Sequence, residues 1–245
     1  MVSDGYVIVS EAMLQPIEAA TGQRRVSVFA PAIPGLPSGY TGLPRQLVDA
    51  SQRQRLLHGV TVTVAEKGYG DTTIAEITAR AGVSKKTFYE HFPDKLACFL
   101  AAHDLGSRAM LEAVTNASRA AAQRGADPIE QLRAANRSYI AFLIDEAPYA
   151  RTFFLETLAA GPEAVARYRH CREGFVRSLR AWHEHARRDR PEWPTAPGIA
   201  YEAAMGAAHE LALARIASDR TAELPGLEDD LLNIQLTILR VPDRR

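Results

Sequence analysis

Residues 82–95 read GVSKKTFYEHFPDK and gather two lysines, a tyrosine, a histidine and two hydroxyl residues into one short segment. Phe88 and Phe92 stand at i and i+4, so on a helix they share the face that turns inward. Lys85, Lys86 and Tyr89 then project outward, with Ser84 at the start and Thr87 and His91 on the flanks. Ammonium and hydroxyl donors in this arrangement suit phosphate oxygens and base edges. The chemistry this spacing predicts is recognition of double-stranded DNA.

Other reactive residue types do not assemble into a site. His183 and His185 lie two apart, which on a helix turns them about 200° from each other and prevents a shared metal. His209-Glu210 has no second histidine at metalloprotease spacing. The glycines of GLPSGYTG are not followed by the Lys-Ser/Thr of a phosphate-binding loop, and no nucleophile elbow occurs. The sequence therefore predicts no catalytic residue, no metal and no cofactor, and the expectation is a protein that is not an enzyme.

The elements that must hold the outward face are helices. Thr72-Thr73 precedes IAEITARAG, where Ile74, Ile77 and Ala81 form a narrow apolar stripe and Thr73 is placed as N-cap. Gly82 ends that helix where a left-handed backbone is needed, and Ser84 caps the next. Pro93 stops the second helix, and Asp94 caps the one beginning at Lys95. Two short helices across a glycine turn, the second cationic outward, form a helix-turn-helix.

The remainder of the 245 residues sets the frame. Lys+Arg and Asp+Glu are 29 each, so local charge decides what global charge leaves open. Cys98 and Cys171 do not make a disulfide framework, and buried thiols in a reducing compartment are expected. No apolar run reaches about 18 residues and no basic leader precedes one, so the expected location is cytoplasmic, without a membrane span. Residues 1–44 stand apart. YVIVS and RRVSVFAP alternate like short strands, and PAIPGLPSGYTGLP punctuates like a linker, so 1–44 is expected to be a flexible, passive extension. From Arg45 the chain reads as helix after helix. GVTVTV at 59–64 alternates like a strand, while Leu56, Leu57, Val60 and Val64 fit a helical stripe, and periodicity alone leaves the two readings even.

The stretch RLLHGVTVTVAEKGYGDTTIAEITARAGVSKKTFYEHFPDKLACFLAAHD resembles the N-terminal domain of TetR-type transcriptional regulators. The matching motifs are Gly68-Tyr69, Thr72-Thr73, Ala81 to Ser84, Phe88 to Phe92 and Lys95. The resemblance implies that GVTVTV belongs to the first helix. It also implies that Thr73, Tyr89, His91 and Lys95 touch phosphates, while Ser84, Lys85, Lys86 and Thr87 meet base edges or backbone. The expectation is an all-α chain: a helix-turn-helix DNA-binding domain over 45–104 (motif 73–92), then a helical effector-binding and dimerisation domain over 105–245. Such a protein would bind a palindromic operator as a homodimer, act as a repressor, and be released by a small hydrophobic ligand of unknown identity. A ligand-independent helix-turn-helix protein is the alternative, and a helical enzyme the more distant one.

Two further sets follow from helical spacing. Tyr139, Phe142, Phe154, Tyr168, Phe175 and Trp182 cluster in consecutive helices; they are either core or the walls of an effector pocket. The last helix carries Leu231, Ile234 and Ile238 on one stripe and a second apolar stripe beside it. Ala203, Ala204, Ala207 and Ala208 give the preceding helix a low surface. These two helices are the expected dimer interface.

Overall fold

The computed structural model describes residues 27–29 and 44–242, and among these there is no β-strand. The helices run in order: α1 (Arg45–Lys67), α2 (Ile74–Ala81), α3 (Lys85–His91), α4 (Lys95–Gln123), α5 (Pro128–Asp145), α6 (Ala147–Leu155), α7 (Pro162–Asp189) and α8 (Gly198–Ala217). A 3-10 turn at Thr221–Leu227 leads into α9 (Glu228–Leu239). No helix among the described residues is long and apolar enough to cross a membrane.

GVTVTV lies inside α1, with Val60 and Val64 buried. Its alternation is overridden because the helical stripe with Leu56 and Leu57 meets Ile77 and Phe88, and burial outweighs a small difference in local propensity. The caps stand where the residue types placed them. Thr73 accepts from the Glu76 amide while the Glu76 carboxylate accepts from the Thr73 amide, a complete capping box. Ser84 accepts from the Thr87 amide, and Asp94 from the Ala97 amide. Gly82 adopts the left-handed conformation (φ 62°), and the turn closes through Val83 N–H to Thr78 O at 3.1 Å. Lys67–Glu76 and Arg80–Glu66 ion pairs then tie α2 to α1.

One apolar cluster runs from Leu56, Ile77, Phe88 and Phe99 at the N-terminal end to Phe153, Phe175 and Leu224 beyond it. A second gathers Leu132, Leu179, Trp193, Tyr201, Leu232 and Leu236 at the far end. A buried Asn136–Gln235 hydrogen bond (2.8 Å) crosses between α5 and α9.

The expected strands YVIVS and most of RRVSVFAP lie outside the described residues, as does nearly all of the 1–44 extension. Residues 27–29 are docked on the helical bundle. The buried Glu146 carboxylate accepts from Ser27 Oγ (2.8 Å) and from the Val28 amide (2.7 Å), and burial raises its pKa. Phe29 is buried and stacks on Tyr149 at 5.7 Å. Phe29 and the two hydrogen bonds to Glu146 anchor this segment together, a signal that the surrounding prolines and glycines hide.

Candidate nucleic-acid interface and effector cavity

The outward face of α3 is built by its inward one. Phe88 and Phe92 are buried, which leaves Ser84, Lys85, Lys86 and Tyr89 exposed, with Thr87 and His91 half-buried beside them. Tyr89 is 57% exposed, while most of the chain's other described aromatic rings are buried or half-buried, so no packing reason holds its phenol outward. Lys86 has only a distant partner, Glu90 at 3.9 Å. His91 Nε2 lies 3.3 Å from Gln52 Oε1 on α1, and burial lowers its pKa, which favours the neutral ring.

Two of the expected phosphate contacts are held elsewhere. The Thr73 hydroxyl serves the capping box with Glu76. Lys95 turns inward: its ammonium donates to Tyr69 O (2.6 Å) and Thr72 O (2.8 Å) and lies 4.2 Å from the Tyr69 ring centre. It satisfies carbonyls of the loop before α2 and thereby fixes the entry to the motif.

The aromatic candidates divide. Tyr139, Phe154, Tyr168 and Phe175 surround a cavity together with Tyr149, Phe153 and Met205, drawn from α5, α6, α7 and α8, with His103 and Ser107 of α4. Two pairs of its polar tips satisfy each other, Tyr168 OH with His209 Nε2 at 3.0 Å and Ser107 Oγ with Tyr149 OH at 2.8 Å, while the buried His103 Nδ1 has no hydrogen-bond partner among the described residues. Burial, with Arg172 adding to it, holds His209 at about 4, and burial pushes Tyr168 up to about 12, so both are neutral near pH 7. The free volume is about 60 Å³, so any occupant beyond a few atoms must displace the ring walls. Phe142 and Trp182 do not line this cavity. Phe142 packs edge-on against Tyr149 at 5.8 Å, and the Trp182 indole donates to Pro128 O at 2.9 Å beside an adjoining space towards α9 that shares Tyr139, Phe175 and Met205 with the cavity.

The dimer candidates divide too. Ala204, Ala208 and Leu231 are buried within the chain's own bundle, because α8 and α9 pack on each other. Ala203 is exposed and Ala207, Ile234 and Ile238 are half-buried, so the open part of this face is narrower than the periodicity implies.

Helix α6 was not singled out by the sequence, yet it touches both regions. Its Tyr149, Phe153 and Phe154 wall the cavity. Its opposite side grips α1: Thr152 Oγ1 donates to Thr61 O (2.7 Å), and Arg151 Nε to Ala65 O (3.1 Å). Glu156 at its end accepts from the Tyr69 amide at 2.9 Å. Phe153 contacts Phe99 at 4.8 Å, and Phe99 contacts Tyr69 at 5.0 Å. A run of rings therefore leads from the cavity wall to the loop that Lys95 fixes. The signal was available in PYARTFFLE, where two adjacent phenylalanines follow a threonine and an arginine, but nothing local says which side faces which domain.

Residues 61–102 match the family of bacterial regulatory proteins, tetR family. A transcriptional activator of Mycolicibacterium smegmatis, FasR, is 27% identical over 130 residues, covering 53% of this chain and 58% of its own length. The transcriptional regulator BetI of Stenotrophomonas maltophilia is 35% identical over 92 residues, covering 38% and 45%. The matched part of the chain thus spans about half the length of these curated relatives. Among solved structures, the regulator FadR from Bacillus subtilis in complex with stearoyl-CoA shares the fold, with a TM-score of 0.64 at 17% identity over 75% of this chain and 97% of that one. Residues 61–102 thus carry the motif of the tetR family of bacterial regulatory proteins, set in a helical architecture that the solved regulators share.

Proposed function

We propose that the protein is a transcriptional repressor that binds a palindromic operator as a homodimer through α3. A small hydrophobic ligand, seated among the aromatic side chains of α4 to α8, releases it. The observation that carries this reading is α6, whose one side walls the cavity while the other is hydrogen-bonded to α1 and to the loop before α2. Because the cavity holds only about 60 Å³, a ligand of more than a few atoms must displace lining side chains, and Tyr149, Phe153 and Phe154 among them belong to α6. Two recognition helices must stand roughly 34–36 Å apart to enter successive major grooves, so a displacement of a few ångströms in each protomer disfavours DNA. The stearoyl-CoA named with the Bacillus subtilis neighbour supports a long apolar occupant. The half-open face of α8 and α9, with Ile199 exposed beside it, supports a dimer.

The test divides the outward residues by role. After an operator is selected from random duplexes, Tyr89→Phe weakens binding to every sequence alike, by about 1 kcal/mol. Lys86→Ala instead changes which sequence is preferred. Unchanged affinity and unchanged sequence choice for both variants would refute the assignment of α3. A stable monomer in light scattering at micromolar concentration would refute the dimer.

A further inference from the structure

The cavity has a neighbour of opposite character. A cleft of about 730 Å³ opens between α1 and α7, with α4, which packs against both, as its floor. That volume lies within the roughly 300–1,000 Å³ of small-molecule sites. Arg53, Arg108, Arg167, His170 and Arg177 line it, against one carboxylate, Asp104, which Arg167 pairs at 2.6 Å. Arg108 has no ion-pair partner among the described residues, and Arg53 rests over the Phe92 ring at 5.2 Å. Arg177 and His170 share the single carboxylate of Glu173 at 3.8 and 3.5 Å. In a chain without net charge, four guanidiniums facing one concave space concentrate positive potential there.

Cleft and cavity meet. Ser107 of α4 and Cys171 of α7 line both spaces, so an apolar wall and a cationic one adjoin across two side chains. Val28 of the anchored N-terminal segment forms part of the cleft's edge, and Gln54 of α1, another lining residue, donates to its carbonyl at 3.4 Å.

We propose that the cleft is the head-group site for an anionic amphiphile, whose carboxylate or phosphate is held by arginines of α1, α4 and α7 while its chain enters the aromatic cavity past Ser107. This rests on the reading of the cavity as the effector site and names the class of effector. Guanidiniums suit both head groups, since each accepts paired N–H donors. Because Arg53 belongs to α1 and Arg167 and Arg177 to α7, one bound anion ties the first helix of the DNA-binding unit to the effector bundle.

The experiment titrates the full-length protein with dodecanol, dodecanoate and lauroyl-coenzyme A, which share a chain length and differ in head group. Binding is followed by calorimetry. At least one anionic probe is expected to bind tenfold or more tightly than dodecanol, and which one does separates a carboxylate from a phosphate source. The double variant Arg108→Gln/Arg177→Gln removes that preference and leaves dodecanol unaffected. Both residues are exposed, so the fold tolerates the change, and salt gives a second readout: the anionic probe weakens between 50 and 500 mM salt while dodecanol does not. Equal affinity for charged and neutral probes, a preference that survives in the double variant, or no saturable binding of any probe would overturn the proposal. Operator affinity is measured alongside. A head-group preference with unchanged operator affinity supports the cleft and refutes the effector reading, whereas dodecanol alone releasing DNA does the reverse.

Discussion

The helix-turn-helix and the aromatic cavity are both helical and share one apolar cluster, but they are held by opposite means. Around α2 and α3, short helices are fixed by polar closures: the Thr73–Glu76 box, the Ser84 and Asp94 caps, the Gly82 turn and the Lys95 ammonium on two carbonyls. The hydrogen bond from Lys67, with those from Thr73, holds the Glu76 carboxyl down at about 2, so that closure persists across the neutral range. Around the cavity, ring faces and thioethers meet with few directional bonds and leave free space between them. A surface that must present the same donors to DNA each time is built from directional contacts. On the proposed reading, the site that admits a ligand is the one built from contacts that can slide.

The contrast can be broken first by truncation. Phe88→Ala removes a fully buried ring from the tight region and should cost about 3–5 kcal/mol in chemical denaturation. Phe154→Ala removes a half-buried ring that borders free space and should cost less than about 2 kcal/mol, because less surrounding packing is lost. Equal costs would erase the distinction.

Acid should discriminate next. His209 titrates near 4 in the folded chain against 6.5 when free, so between these values the unfolded chain holds the extra proton. Its contribution to stability is complete above about pH 6.5 and is lost as pH falls towards 4, amounting to roughly 3 kcal/mol at about 1.4 kcal/mol per pKa unit. His209→Gln should flatten this part of the stability–pH curve, and an unaltered curve would show that the cavity is not dry.

Overpacking comes third. A Cβ on Gly106 of α4 would fall 2.1 Å from the Tyr149 ring, so Gly106→Ala must push the cavity wall on α6. A cost of about 1–3 kcal/mol is expected, with altered ligand affinity, while the same change in the open at Gly70 should be nearly neutral. The smallest effect is Thr73→Ala, which opens the capping box for about 1 kcal/mol and should lower operator affinity by loosening α2.

These differences also explain what the sequence disclosed. The caps, the glycine turn and the inward phenylalanines are local signals, each readable within a few residues, and the structure has each of them in place. The strand-like alternation of GVTVTV yields to helix only because its partners Ile77 and Phe88 lie further along the chain. Tertiary facts were harder. Nothing within TFFLE says that Thr152 reaches Thr61 while Phe153 faces the cavity, and nothing near Glu146 says that it holds residues 27 and 28. Lys95 read as a free cation because its acceptors are main-chain carbonyls, which no side-chain pattern reveals. Ala204, Ala208 and Leu231 read as an outer surface because a low, apolar stripe looks the same whether it meets its own bundle or a second copy.

The most direct measurement is the dissociation constant for the selected operator, by fluorescence anisotropy, without ligand and with the tightest-binding dodecyl probe at saturation. On the proposed reading, ligand that enters the cavity displaces α6 side chains whose helix grips α1, and linkage requires the same factor in both directions. The expected result is operator binding weakened at least fivefold, about 1 kcal/mol, with the probe bound correspondingly less well by the DNA complex. An unchanged dissociation constant with the cavity demonstrably filled would contradict coupling between the two regions.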